Sequence, residues 1–148
     1  MWLYAPGFIN PDKENIMCNE NIEDLTGIKV GRINHTCSPR FKITDLTHPA
    51  VRYAVEDRRY GYIDRDVHSN VWLGNVIKSA YMNPGFYIDD PDTEILGTYC
   101  EMGLPAYAIK EMDGWTSVYC APQILRSELI ASLAEYAGCH LYNRQDDV

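Results

Sequence analysis

The sequence predicts an α/β fold in which a mixed β-sheet is flanked by helices, built as one domain over residues 1–148. Three observations lead to this prediction. The length of 148 residues and the 46% hydrophobic and 23% charged content suit one globular unit with a real core. Strand and helix patterns alternate along the chain. A hairpin signal in the C-terminal half argues against a purely parallel sheet.

The N-terminal half opens with a short apolar strand at residues 2–5, which ends at the turn dipeptide Pro6-Gly7. A short helix is then expected to begin at Asn19 or Asn21 and to end at Gly27, because asparagine suits an N-cap and glycine suits the C-terminal end. Alternating apolar residues predict further strands near 28–33 and 41–43.

The strongest local signal lies at Asp113-Gly114, which separates two runs of strand-forming residues and predicts a hairpin. Strands are also expected at 85–88 and 94–99. A final helix is predicted to open at Pro122 and to end at Gly138, with an apolar stripe formed by Leu125, Leu129, Leu133 and Tyr136. Residues 139–142 are expected to form a strand after it.

The net charge of −8 argues against nucleic acid as a partner, because an acidic surface repels a phosphate backbone. No apolar stretch is long enough to predict a membrane span. The N-terminus lacks the basic and apolar segments of a signal peptide. We therefore expect a cytoplasmic location by default, unless the chain belongs to an exported parent protein.

The five cysteines form no CxxC pair, so neither a disulfide scaffold nor a zinc site is expected, and most should be small buried hydrophobes. The sequence contains no G-x-S-x-G elbow and no glycine-rich phosphate loop. We therefore predict no cofactor, no bound metal and no catalytic residue.

Only a few side chains are candidates for chemistry or recognition. Asp64, Asp66 and His68 alternate along one stretch and could place three ligands on one side of an extended segment, but a solvated polar strand that pairs with the nearby arginines is the favoured interpretation. His140 follows Cys139, and adjacent strand residues point to opposite faces, so the two cannot pair. Trp72 and Trp115 are candidates for an interface or for stacking on a sugar ring.

Several short segments resemble the trimerisation domain that follows the catalytic barrel in bacterial β-galactosidase-like glycoside hydrolases. They are residues 2–8, 22–27, 48–49, 90–97, 104–106, 114–119 and 137–142. The resemblance implies a class I glutamine amidotransferase-like or flavodoxin-like fold without the amidotransferase cysteine–histidine pair. It also implies that this chain corresponds to the C-terminal part of that domain, so its sheet can be incomplete.

Together these observations predict a non-catalytic accessory or assembly domain, which forms a homo-oligomer or docks on a catalytic domain. An exposed apolar surface at the sheet edge or on the C-terminal helix should make the contact. Two alternatives stay open. The first is a small hydrolase acting on carbohydrates, with Asp64, Asp66, His68 and His140 as its first candidates. The second is a carbohydrate-binding module.

Overall fold

A computed structural model describes residues 1–61 and 81–142. Within these ranges the strands are β1 (Trp2–Leu3), β2 (Val30–Ile33), β3 (Phe41–Ile43), β4 (Arg59–Tyr60), β5 (Gly85–Ile88), β6 (Glu94–Tyr99), β7 (Pro105–Met112) and β8 (Trp115–Cys120). The helices are α1 (Glu20–Thr26) and α2 (Ser127–Tyr136), with a short 3-10 helix η1 (Pro49–Val51).

The described strands form a curled six-stranded sheet of order β1-β8-β7-β6-β3-β4 and a two-stranded sheet of β2 and β5. Of the described strand pairs only β1 with β8 is parallel, and the others are antiparallel. The sheet is therefore mixed, as predicted, and the protein is α/β with few helices.

The β7–β8 hairpin is the centre of the large sheet. Its register runs from Tyr107 opposite Cys120 to Met112 opposite Trp115, so the loop is the predicted Asp113-Gly114. Gly114 has a φ of 80°, a conformation that glycine adopts without steric cost. Residues Ala106–Ile109 of β7 and Ser117–Cys120 of β8 are buried in succession, because both faces of the hairpin are covered.

Different elements cover the two faces of β8. The Ser117 hydroxyl donates a 2.6 Å hydrogen bond to the carbonyl of Thr26 at the end of α1. Its neighbours Thr116 and Val118 point to the opposite face, where they meet α2. On that face the backbone N–H of Tyr53, just after η1, donates to the buried hydroxyl of Ser132 in α2.

The first predicted helix is α1, and its ends are informative. Gly27 ends it in the left-handed conformation, as predicted. Asn19 occupies the N-cap position, but its side chain makes no cap bond and donates instead to the carbonyl of Val30. Of its two large apolar side chains, Ile22 is fully buried and Leu25 is exposed.

Two predictions for the C-terminal segment are wrong. The last helix does not open at Pro122, because α2 begins at Ser127 with Arg126 in an extended N-cap conformation. Residues 139–142 form no strand. Helix α2 ends just before Gly138, whose φ is 78°, and Tyr136, predicted as part of its apolar stripe, is exposed.

None of the helices within the described ranges has the length and apolar character that crossing a membrane requires.

Candidate functional site

A groove of about 510 Å³ lies between α2 and the β1–β8 end of the large sheet. Six residues line it, and we call it the edge groove: Met1, Thr116, Val118, Leu133, Tyr136 and Ala137. Four of the six side chains are aliphatic, so the edge groove offers an apolar surface with polar groups at one end.

Local structure explains how these side chains meet. Thr116 and Val118 are two residues apart on β8 and therefore share a face of the strand. Leu133, Tyr136 and Ala137 are spaced by three and four residues at the end of α2, so they share a helix face. Met1 precedes the edge strand β1 and closes the outer side.

The polar end of the groove is organised around the Glu111 carboxylate. Thr116 lies directly opposite Glu111 in the hairpin, and its hydroxyl donates a 3.1 Å hydrogen bond to Oε2 of Glu111. The Tyr136 hydroxyl donates to Oε1 at 3.2 Å. Burial and the charge of Glu111 raise the pKa of the Tyr136 hydroxyl, so this group stays protonated and acts as a donor near neutral pH.

His48 and Glu94 extend this polar end. The Nδ1 atom of His48 accepts a 3.1 Å hydrogen bond from the backbone N–H of Ala50 and so caps η1. Its Nε2 lies 3.8 Å from a carboxylate oxygen of Glu94, and its ring centroid lies 5.6 Å from that of Tyr136. The apolar groove thus ends at two exposed carboxylates, those of Glu94 and Glu111.

The cysteines do not form a nucleophilic site in the described structure. All five thiols are free. The prediction that most of them are buried is wrong, because only Cys37 and Cys120 are buried, whereas Cys18 and Cys100 are half-buried and Cys139 is exposed. Burial raises the pKa of the Cys37, Cys100 and Cys120 thiols, which lowers the fraction of the reactive thiolate.

Metal-ligating side chains do not converge in the part of the chain that the structure describes: it holds no group of three or more His, Cys, Asp or Glu residues that could bind an ion. A second, polar recess of about 380 Å³ is lined by Met17, Cys18, Asn19, Glu20, Arg32 and Asn34. It lies beside the start of the short helix α1 and carries no cluster of groups suited to a reaction.

The residues proposed from the sequence are not brought together at the edge groove. Asp64, Asp66, His68 and Trp72 lie outside the described residues. His140 is exposed after α2, with its ring 4.8 Å from that of Tyr142. Trp115 is 44% exposed, and strand alternation places it on the Ser117 face of β8, opposite to the groove.

Sequence reasoning missed Glu111, Thr116, Tyr136, His48 and Glu94. The Glu111–Thr116 pair could have been found, because the two residues flank the predicted hairpin symmetrically and must face each other. The other contacts depend on long-range geometry. Glu94 comes beside Glu111 only through the β6–β7 register, in which Glu94 pairs with Ile109.

Comparison of the chain with family models, curated proteins and solved structures finds no match.

Proposed function

We propose that this protein is a non-catalytic assembly domain that associates through the edge groove. The observation that carries the proposal is the exposure of large apolar side chains around it: Met1 is 53% exposed, and Leu3 and Tyr136 are each 37% exposed. Clustered apolar exposure of this kind marks an interaction surface, whereas single exposed hydrophobic residues do not.

The apolar surface continues from the groove to the edge of the sheet. Leu3 pairs in register with Cys120, so its side chain lies on the same face of the sheet as Val118. Strand β1 is the edge strand of the sheet and is only two residues long. A partner that lies on the edge groove would therefore also cover Leu3.

The amount of exposed surface predicts weak association. Full burial of one such side chain is worth about 1.5–3 kcal/mol, and these three are already roughly half-buried, so covering them contributes about 2–4 kcal/mol. A free energy of about 4 kcal/mol corresponds to a dissociation constant near 1 mM. This magnitude suits a domain whose contact is reinforced by the rest of a larger protein.

The finer fold assignment is part of the same proposal. We propose that the chain is the C-terminal part of a class I glutamine amidotransferase-like trimerisation domain of a β-galactosidase-like glycoside hydrolase. The short sequence segments support this, and so does the parallel placement of β1 beside β8, since parallel pairs are typical of flavodoxin-like sheets. The antiparallel remainder of the sheet is a departure from that fold.

Sedimentation velocity on the full chain, from about 10 µM to about 1 mM, tests the proposal. We expect concentration-dependent association that weakens in Leu133→Asp, which puts a charge into the groove. Ile130→Asp is the matched control, because Ile130 is exposed on the same helix but does not line the groove. Ala137→Trp, which fills the groove without removing a contact, should weaken association as well.

The proposal is wrong if the chain stays monomeric over this range. It is also wrong if the groove variants and the Ile130→Asp control associate equally. Far-ultraviolet circular dichroism on each variant shows whether the fold is retained.

A further inference from the structure

A pair of exposed cations lies on strands β3 and β4, at the other edge of the large sheet from the edge groove. Lys42 of β3 and Arg59 of β4 are directly opposite each other in the antiparallel register. Both residues are exposed, whereas their neighbours Phe41 and Tyr60 form a buried pair. Directly opposed residues project from the same face of a sheet, so the two cations lie side by side.

This pairing is unfavourable without a third partner. Like charges directly opposite each other destabilise an antiparallel sheet. The chain has 21 acidic side chains against 13 basic ones, so cations without an acidic partner are unexpected in it. No carboxylate within the described ranges forms an ion pair with Lys42 or Arg59.

The surroundings extend this basic surface. The half-buried Cys100 thiol lies within electrostatic range of Arg59, Lys42 and Arg40, although Glu101 acts on it more strongly than any of these cations. The backbone N–H of Cys100 donates to the carbonyl of Arg40 at 3.0 Å, which fixes the two segments side by side. Of the described carboxylates, that of Glu101 lies 3.9 Å from the Arg40 guanidinium.

We propose that Lys42 and Arg59 bind an oxyanion, either a phosphate or a carboxylate group. A guanidinium presents a planar fork of donors that matches two oxygens of such a group, and an ammonium adds a point charge beside it. A bound anion would also remove the like-charge repulsion across β3 and β4. Cys100 beside the site provides a chemical reporter for its occupancy.

The test measures alkylation of Cys100 by iodoacetate, followed by peptide mass spectrometry. We expect about 20 mM phosphate to slow the reaction at Cys100 at least twofold relative to chloride of equal ionic strength, with no such effect at the exposed Cys139. The double variant Lys42→Gln/Arg59→Gln should lose this protection. The matched control Lys29→Gln/Arg32→Gln removes two exposed charges elsewhere and should keep it.

A tetraglutamate peptide forms a second arm that identifies the source of the anion. Protection by phosphate alone indicates a small anion, and protection by the peptide alone indicates an acidic segment of a protein. Both results support an oxyanion site. Equal rates in phosphate, peptide and chloride would overturn it, as would equal protection in the Lys42→Gln/Arg59→Gln variant.

Thermal unfolding gives an independent readout that needs no reaction at Cys100. Phosphate should raise the melting temperature of the native chain more than chloride does, and this difference should vanish in Lys42→Gln/Arg59→Gln. In chloride alone, each single substitution should raise the melting temperature, because it removes a like-charge contact. A lowered melting temperature in both single variants would show that the pair is not repulsive. Association through the edge groove is measured separately, by sedimentation velocity. Either proposal can therefore fail without the other.

Discussion

Replacing Arg58 by alanine tests how the buried carboxylate of Glu128 is held at the start of α2. The Glu128 side chain is only 7% exposed. The Arg58 guanidinium donates a hydrogen bond to its Oε1, and the Arg126 Nε lies 3.6 Å from the same oxygen. Arg58→Ala therefore leaves a buried charge with Arg126 as its remaining cation.

The size of the effect follows from these contacts. Removing one member of a fully buried ion pair costs about 3–5 kcal/mol, because the other charge is left uncompensated. Here Arg58 is 39% exposed and Arg126 remains, so solvent and the second cation recover part of that loss. We expect Arg58→Ala to lower the free energy of unfolding by about 2 kcal/mol at neutral pH.

The effect should depend on pH in a defined direction. Burial tends to raise the pKa of Glu128, but the helix backbone and the two arginines outweigh it and hold the pKa below its usual value. A depressed pKa contributes stability above the unfolded-state pKa, and that stability is lost as pH falls through the folded-state pKa. At about pH 3, which is below the unfolded-state pKa of glutamate, part of that stability is already lost, so the electrostatic part of the difference is smaller there than at neutral pH.

Urea unfolding of both proteins, followed by circular dichroism at neutral pH and at about pH 3, measures this change. Arg52→Ala is the control, since Arg52 is 63% exposed and pairs with Glu135 at 3.5 Å. It should cost less than about 1 kcal/mol. The reasoning is refuted if Arg58→Ala costs no more than Arg52→Ala, or if its cost is the same at both pH values.

Two further predictions concern backbone geometry and thiol reactivity. Gly61→Ala should cost at least about 2 kcal/mol, whereas Gly114→Ala should cost about 1 kcal/mol, as measured by urea unfolding. Both glycines have positive φ, but a Cβ at Gly61 would lie 2.0 Å from the Pro39 carbonyl oxygen and one at Gly114 would meet open space, so equal costs would contradict the argument. In the native chain iodoacetamide should modify Cys139 and leave Cys120 intact until urea unfolds the protein, because burial raises the pKa of Cys120 and blocks access. Peptide mass spectrometry checks this, and comparable native rates at both thiols would be the contrary result.

The sequence predicted the parts of the fold that depend on local rules. The Asp113-Gly114 hairpin was located correctly because its turn chemistry and its flanking strand-forming residues agree. The end of α1 at Gly27 followed from the glycine preference for the left-handed conformation. The two-stranded β2–β5 sheet could not be foreseen, since its partners are more than 50 residues apart in sequence and their register depends on packing.

The late start of α2 shows where local rules failed. Pro122 is compatible with a first helical turn, and Leu125 continues the apolar spacing of α2, so the pattern favoured a longer helix. In the structure residues 121–123 form bends, Arg126 is extended, and Glu128 lies in the first helical turn, where it meets the Arg58 guanidinium.

The C-terminal end of α2 is more exposed than its start. Leu129 of α2 is fully buried, whereas Leu133, one turn later on the same helix, is only half-buried, and Tyr136 is exposed. Burial therefore decreases along the helix towards the edge strand β1, where the groove opens. An apolar helix face that extends beyond the sheet it packs on lowers solubility unless another surface covers it. We expect a partner at the edge groove because apolar side chains are exposed together at this end of α2. The identity of any single side chain is not the reason.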